Sequence, residues 1–422
     1  MSVPLERLYH YLADCVNHDL LIYGWMPQGS TKLEDFCMLI AHMTFEDWAE
    51  LRSKTTLEEF KLLSCRNDHA VMICHDQEPL DFDRYSFRDF QQIIKQHHQK
   101  YRETLQIDNL DRQSVVNYHA LLGLRGLANA INHYDHTLLL HSEKNSLHVS
   151  RYSQKGYVPV YYWSHGMIAL DWFRYAEHDP KLQLDPVKIQ KDFLIYNRAW
   201  AGTREYRLCF AEQLVQNHLH DNCKMSFNSC DGGYYGQHQF INPEFQITNF
   251  NLDNCFPSNT HPSSASADYC GEDYVSTGIE IVLETLFDDH RWHLTEKSLR
   301  PIACGKPFIL MATSGSLQYL RQYGFKTFDG LIDESYDSIP NPKQRLQAVI
   351  AEMKRISVLP VQQKTKLFMD LDSIAKFNKH LFFTSFFDSL VNEYKQNMDS
   401  AMIEMAQHRL GHNCAMITQL MQ

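Results

Sequence analysis

Trp292-His293-Leu294-Thr295-Glu296-Lys297-Ser298-Leu299-Arg300-Pro301, followed by Ile302-Ala303-Cys304-Gly305-Lys306-Pro307-Phe308-Ile309-Leu310, reads as the start of a helix and then a short apolar strand. A helix N-terminus favours anions through its free N–H groups and its dipole. Lys297 and Arg300 add positive charge one turn apart, and Glu296 can accept hydrogen bonds from sugar hydroxyls. Together these residue types suit a diphosphate joined to a sugar. The plainer alternative is a surface helix carrying a Glu–Lys pair.

Working outward, the same alternation recurs. Apolar runs at 70–74, 137–140 and 158–163 read as buried strands, and each leads into a polar turn: His75-Asp76-Gln77-Glu78-Pro79, His141-Ser142-Glu143-Lys144-Asn145-Ser146 and Ser164-His165-Gly166. Residues 1–60 read as short amphipathic helices, and 88–105 as a helix with Phe90, Ile93, Ile94 and Tyr101 on one side. After a polar, linker-like stretch at 181–191, a second series begins: strand 192–196, a helix over 203–218 with Thr203 as its cap, strand 224–227, an irregular insertion over 228–274, strands 279–286 and 308–311, and a helix from Gly315. From Pro342 onward the chain reads as helices. Strands alternating with helices predict α/β units with mostly parallel sheets, whose ligands bind beyond the carboxyl ends of the strands. The expected domains are 1–185, 190–340 and a helical tail over 341–422.

The composition narrows the function classes. A chain of 422 residues with 44% hydrophobic and 22% charged residues fits a soluble globular protein of two or three domains. No apolar run is long enough to span a bilayer, and Glu6 and Asp14 break any signal-like segment. Eleven scattered cysteines without a C-x-x-C pair point to reduced thiols in a cytosol. A net charge of −11 gives no long-range attraction to nucleic acid. There is no P-loop and no G-x-G-x-x-G following a strand, which argues against NTPase and dehydrogenase chemistry.

Thr295-Glu296-Lys297 with Arg300, preceded by Glu284, resembles the donor-binding signature of the family-10 fucosyltransferases. The spacing from Glu284 is slightly longer than in that family. Tyr196-Asn197-Arg198-Ala199-Trp200-Ala201-Gly202-Thr203-Arg204 is similar to the same family's strand, Asn-containing turn and diphosphate-contacting Arg, with Arg204 at the matching position. Over its whole length, through segments such as His75–Leu80 and Tyr161–Gly166, the chain also resembles a group of phage-encoded and bacterial glycosyltransferase-like sequences. The resemblance implies a GT-B fold, with two Rossmann-like domains facing a cleft and a C-terminal helical tail crossing back. It implies transfer of a sugar from a nucleotide-diphosphate sugar to an acceptor hydroxyl, in the cytoplasm, or in that of the host if the chain is phage-encoded.

On this reading Arg204 and Lys297, with Arg198 and Arg300, stabilise the departing diphosphate. Thr295 and Glu296, with Glu284 and Asn197, complete the donor site. Arg198 and Arg207 also read as helix-surface residues. Glu78 or Asp76 is the expected general base, with Glu143 and His165 as rivals. Asp81-Phe82-Asp83 and Asp370-Leu371-Asp372 match a metal-binding Asp-x-Asp only by letter, so no metal and no cofactor beyond the donor is expected. The acceptor is a glycan or, following the phage resemblance, hydroxymethylated DNA with its base flipped out. In the latter case Arg88, Lys95, Lys100 and Arg102 could touch phosphates, although a solvated helix face is the stronger reading of them. A binding protein without turnover, built on the same fold, is the reading of a different class.

Overall fold

The computed structural model describes residues 137–154, 157–225, 227–249, 251–256 and 267–420, together with Leu8, Tyr11, Leu12, Cys15 and the segments 20–25 and 70–75. The chain divides into two compact units. A first-sheet unit comprises 6–143, 147–164 and the chain from Val391, and a second-sheet unit comprises 144–146 and 165–390 with the first five residues.

The first sheet contains β1 (Leu20–Trp25), β2 (Ala70–His75), β3 (Thr137–His141) and β4 (Tyr157–Tyr161), all parallel and in sequential order. Leu138, Leu139 and Leu140 are all fully buried, as expected for a parallel strand covered on both faces. β1 corrects the expectation of helices over 1–60. The short apolar run Leu-Leu-Ile-Tyr-Gly-Trp has no periodicity that separates strand from helix. The helix expected at 88–105 lies outside the described residues. Helix α1 (Val149–Gln154) joins β3 to β4. β4 stops at Tyr161, short of the expected 163, and α2 (Ser164–Trp172) follows.

The second sheet holds β5 (Lys191–Ile195), β6 (Cys223–Met225), β7 (Thr277–Leu283) and β8 (Phe308–Met311), again parallel, in the order β6-β5-β7-β8. The order reverses between β5 and β7. Such a switch point opens a crevice at the carboxyl ends of the strands. The described strands of the first sheet show no such reversal. Every residue of β7 is buried, and Gly278 is required there: a Cβ would lie 2.5 Å from the Phe368 ring.

The stretch 181–191 lies inside the second-sheet unit, where Asp179 and Asp185 cap two short 3-10 turns. Helix α3 (Tyr206–Gln216) starts later than expected and is not capped by Thr203. Gly202, at φ 63°, turns the chain into a 3-10 segment, Gly202–Arg204, before the helix begins.

The insertion over 228–274 carries only short pieces of regular structure, including α4 (Leu252–Cys255) and α5 (Gly271–Val275). Carboxylates hold it through backbone N–H groups. Glu205 accepts from Ile241 and Asn242 N–H at 2.8 and 2.7 Å, and Glu212 accepts from Thr248 and Asn249 N–H at 2.5 and 2.6 Å. Asp231 in turn accepts from Trp200 and Ala201 N–H, each at 2.7 Å.

Helix α6 (Glu296–Cys304) ends at Gly305 in the left-handed region, with Lys306 N–H donating to Pro301 O at 2.8 Å. α7 (Ser316–Gln322) and α8 (Pro342–Ser357) follow β8, and α9 (Val361–Thr384) packs along α6. The last helix, α10 (Phe386–Leu420), belongs to the first-sheet unit from Val391 on. There Tyr394 donates to Leu12 O at 3.0 Å and Asn397 to Tyr161 O at 2.9 Å. Among the described residues no helix is long and apolar enough to cross a membrane.

Lys306 yields a test of this core. Its ammonium is buried and donates to Tyr274 O at 2.6 Å and to Thr277 O. Burial pushes its pKa down to about 7, despite the opposing charge of Glu280. An unfolded lysine titrates near ~10.4. Between those values the unfolded chain holds a proton that the folded one does not, so stability rises with pH, by up to ~1.4 kcal/mol per pH unit. Urea unfolding of wild type and Lys306→Met at pH 7.5 and 9.5 should show wild type gaining relative to the variant. An unchanged difference would mean the ammonium stays charged in the fold.

Candidate functional site at the strand switch point

The turn that follows β5 is fastened to the carboxyl end of β7 by Arg207 of α3. Its guanidinium is buried and donates to Ala199 O at 2.5 Å, Leu283 O at 2.6 Å and Glu284 O at 3.1 Å. This corrects its reading as a helix-surface residue. All three acceptors are backbone carbonyls, which no side-chain pattern reveals. Tyr206 beside it donates to Glu284 O at 2.8 Å and stacks on Phe287.

Glu284 follows β7 directly and is fully buried. Its Oε1 accepts from Thr295 N–H at 2.9 Å and from Ser298 N–H and Oγ at 3.2 and 2.5 Å. Its Oε2 accepts from Thr295 Oγ1 at 2.7 Å and Thr285 N–H at 3.1 Å. Burial favours the neutral acid, but Lys297 and the bonds from Ser298 and Thr295 outweigh it and hold the pKa below the ordinary value. Five donors saturate a carboxylate. Glu284 therefore occupies the N-terminus of α6 itself, and Thr295 Oγ1 caps Lys297 N–H at 3.4 Å. The helix end expected to receive a diphosphate through its N–H groups is filled by the protein's own acid.

Glu296 stands on the first turn of α6 and joins Lys297 to His165, two residues expected to act in separate roles. Its Oε1 meets Lys297 Nζ at 2.6 Å and its Oε2 meets His165 Nε2 at 3.2 Å, with all but Lys297 nearly enclosed. Burial would raise its pKa, but Lys297 and then His165 draw it well below the carboxylate range, so Glu296 is ionised. Lys297 Nζ also reaches Thr295 Oγ1 at 3.1 Å. His293, not singled out by sequence, packs its ring edge against His165 at 5.6 Å.

The remaining residues separate by environment. Arg300 is buried, pairs with Glu280 Oε1 at 2.6 Å and lies over the Tyr196 ring at 4.4 Å, so its charge is balanced inside the core. Arg198 is exposed and Arg204 half-buried in the turn after β5. Asn197 is buried. In the first-sheet unit Glu143 is buried and accepts from Tyr152 Oη at 3.1 Å, while its N–H donates to His141 Nδ1 at 3.4 Å. Burial pushes the His141 pKa down to about 4. Asp76, Glu78, Asp81, Asp83 and the basic residues Arg88, Lys95, Lys100 and Arg102 lie outside the described residues. Asp370 and Asp372 pair with Lys366 and Lys376, each at 2.6 Å; Asp370 is partly exposed, whereas Asp372 is buried rather than solvated. Among the described residues no group of His, Cys, Asp and Glu side chains has the arrangement of a metal site.

No protein-family model matches the chain, and neither a curated protein nor a solved structure matches it.

The cap gives a stability test. Glu284→Ala removes the acceptor of three backbone N–H groups and two hydroxyls, and should cost at least about 3 kcal/mol in chemical denaturation. Glu284→Gln, which keeps an acceptor oxygen, should cost less, and Arg198→Ala on the exposed turn should stay within ~0.5 kcal/mol. Equal, small losses at both positions would contradict the anchoring role of Glu284.

Proposed function

We propose that this protein is a glycosyltransferase that moves a sugar from a nucleotide-diphosphate sugar to an acceptor hydroxyl, on a two-domain GT-B architecture and without a metal. One observation carries the reading: Asn197, Arg198 and Arg204 follow β5, Glu284 and the Thr295-Glu296-Lys297 motif follow β7, and the reversal of strand order falls between those two strands. Ligands of open α/β sheets bind at that position. Arg204 and Lys297, helped by Arg198, stabilise the leaving diphosphate. Glu296, held by His165 and Lys297, takes sugar or ribose hydroxyls. Glu284 and Arg300 serve as the frame rather than as direct donor contacts. The acceptor hydroxyl gives its proton to Asp76, Glu78 or Glu143 of the first-sheet unit, or to His165. The acceptor is a glycan and the enzyme acts in the cytoplasm.

The direct test is transfer of labelled sugar from a panel of nucleotide sugars to oligosaccharides and to hydroxymethylated duplex DNA. Transfer to DNA that falls steeply with salt would replace the glycan acceptor by a nucleic-acid one. Donor binding without transfer to either would leave a binding protein. Arg204→Ala and Lys297→Ala should each lower kcat/KM about 10- to 150-fold, the value of ~1.5–3 kcal/mol for a charge-assisted bond. Wild-type kinetics in both would overturn the donor site. Activity should survive excess EDTA, and loss restored by magnesium or manganese would overturn the metal-independent mechanism. Among Asp76→Asn, Glu78→Gln, Glu143→Gln and His165→Gln, the variant lacking the base should lose ~10²–10⁴ in turnover with donor affinity intact.

A further inference from the structure

The turn that leaves β5 is tied down at almost every residue. Tyr196 Oη donates to Asp273 at 2.9 Å, Arg198 O accepts from Asn228 Nδ2 at 3.3 Å, and Ala199 O accepts from Arg207. Trp200 N–H and Ala201 N–H are held by Asp231, and the Trp200 indole donates to Asn228 O at 2.8 Å. Asn197, in the middle of this fixed turn, is 2% exposed, yet neither Nδ2 nor Oδ1 meets a hydrogen-bond partner in the protein. A buried amide without partners destabilises a fold, and an apolar side chain of similar size would serve packing better. Packing therefore does not explain the residue.

Its surroundings point to a ligand. Asn197 lies two residues beyond the end of β5, at the strand reversal. The guanidinium of Arg207 donates to three backbone carbonyls, and Arg204 stands close enough to disfavour its charge further. The turn thus carries, with the half-buried Arg204 further along it, a buried amide that offers one donor and one acceptor side by side.

We propose that Asn197 is a ligand-reading residue, whose amide pairs with a donor–acceptor edge of a nucleotide sugar, either a base edge or two neighbouring hydroxyls. The identity of the ligand as a nucleotide sugar rests on the reading given under the proposed function; the binding role of Asn197 rests on its unpartnered amide. An amide matches a base edge by two parallel hydrogen bonds and a vicinal diol by the same pair. The free protein carries the unmet amide, and the bound ligand satisfies it.

The test uses the full chain and two variants, Asn197→Leu and Asn197→Asp, in thermal-shift and calorimetric titrations with inorganic pyrophosphate, a set of nucleoside diphosphates and the corresponding nucleotide sugars. Asn197→Leu should melt at or above the wild-type temperature without ligand, because it removes an unmet polar group. Both variants should bind the preferred nucleotide or nucleotide sugar at least tenfold more weakly, with pyrophosphate affinity unchanged. Discrimination among nucleoside diphosphates that disappears in the variants identifies a base edge, and a loss seen only with the sugar-bearing compounds identifies hydroxyls; either supports the proposal. A marked fall in the melting temperature of Asn197→Leu, with ligand affinity retained in Asn197→Asp, would show a structural residue and overturn it. Absence of any shift in wild type would overturn it as well. The transfer assay decides the enzymatic reading separately, since a protein that binds through Asn197 without transferring sugar would retain this inference and lose that one.

Discussion

The second-sheet unit is organised around one buried carboxylate. Glu284 stands where β7 ends, and its two oxygens collect the amide and hydroxyl donors of Thr295 and Ser298 at the start of α6. A negative charge at a helix N-terminus is favoured by the dipole and by the free N–H groups that would otherwise lack partners. Because the carboxylate is fixed at a strand end, the helix inherits the position of the sheet. Glu296 and Lys297 on its first turn are then aimed by the same contact, and the pairing of Glu296 with His165 follows from where that turn sits.

A second fixed charge works in the opposite sense. Arg207 contributes its donors to carbonyls of the turn after β5 and of the end of β7, so these segments flanking the reversal cannot separate without stranding a buried guanidinium. Arg300 performs a related task lower in the unit, through Glu280 and the face of Tyr196. Breaking a buried pair of this kind is far more damaging than never having built it. The polar core of this unit is therefore a scaffold for the switch point rather than a reservoir of free charge.

These distinctions bear on what could be read from the amino acids alone. Apart from β1, the strands were visible as apolar runs, and β5, β7 and β8 fall within a few residues of their expected positions, because buried parallel strands leave a continuous hydrophobic signature. The motif around Thr295 was visible as a cluster of charge. The roles inside it were not. Glu284 and Thr295 are eleven residues apart, and the spacing alone does not say whether the acid faces a ligand or the helix end. Arg204 and Arg207 look alike on paper; one lies half-buried in a turn and the other is enclosed, because one of the carbonyls that receives Arg207 lies 76 residues away in sequence. Thr203 failed as a helix cap because Gly202 adopts a left-handed backbone and inserts a 3-10 turn. His165 and Glu296 were each noticed, but their meeting depends on tertiary structure that no local pattern encodes.

The insertion between β6 and β7 shows how an irregular segment can be ordered without a pattern of its own. Glu205 and Glu212 grip its main chain through N–H groups at 241–242 and 248–249, and Asp231 returns the grip on 200–201. Contacts of this kind recognise a backbone path and are indifferent to most of the side chains along it. The exposed positions of the segment, such as Ile241, are consequently free to vary in identity while the path is kept. The docking stays constant, so the surface this segment displays can diverge in identity without renegotiating the fold beneath it.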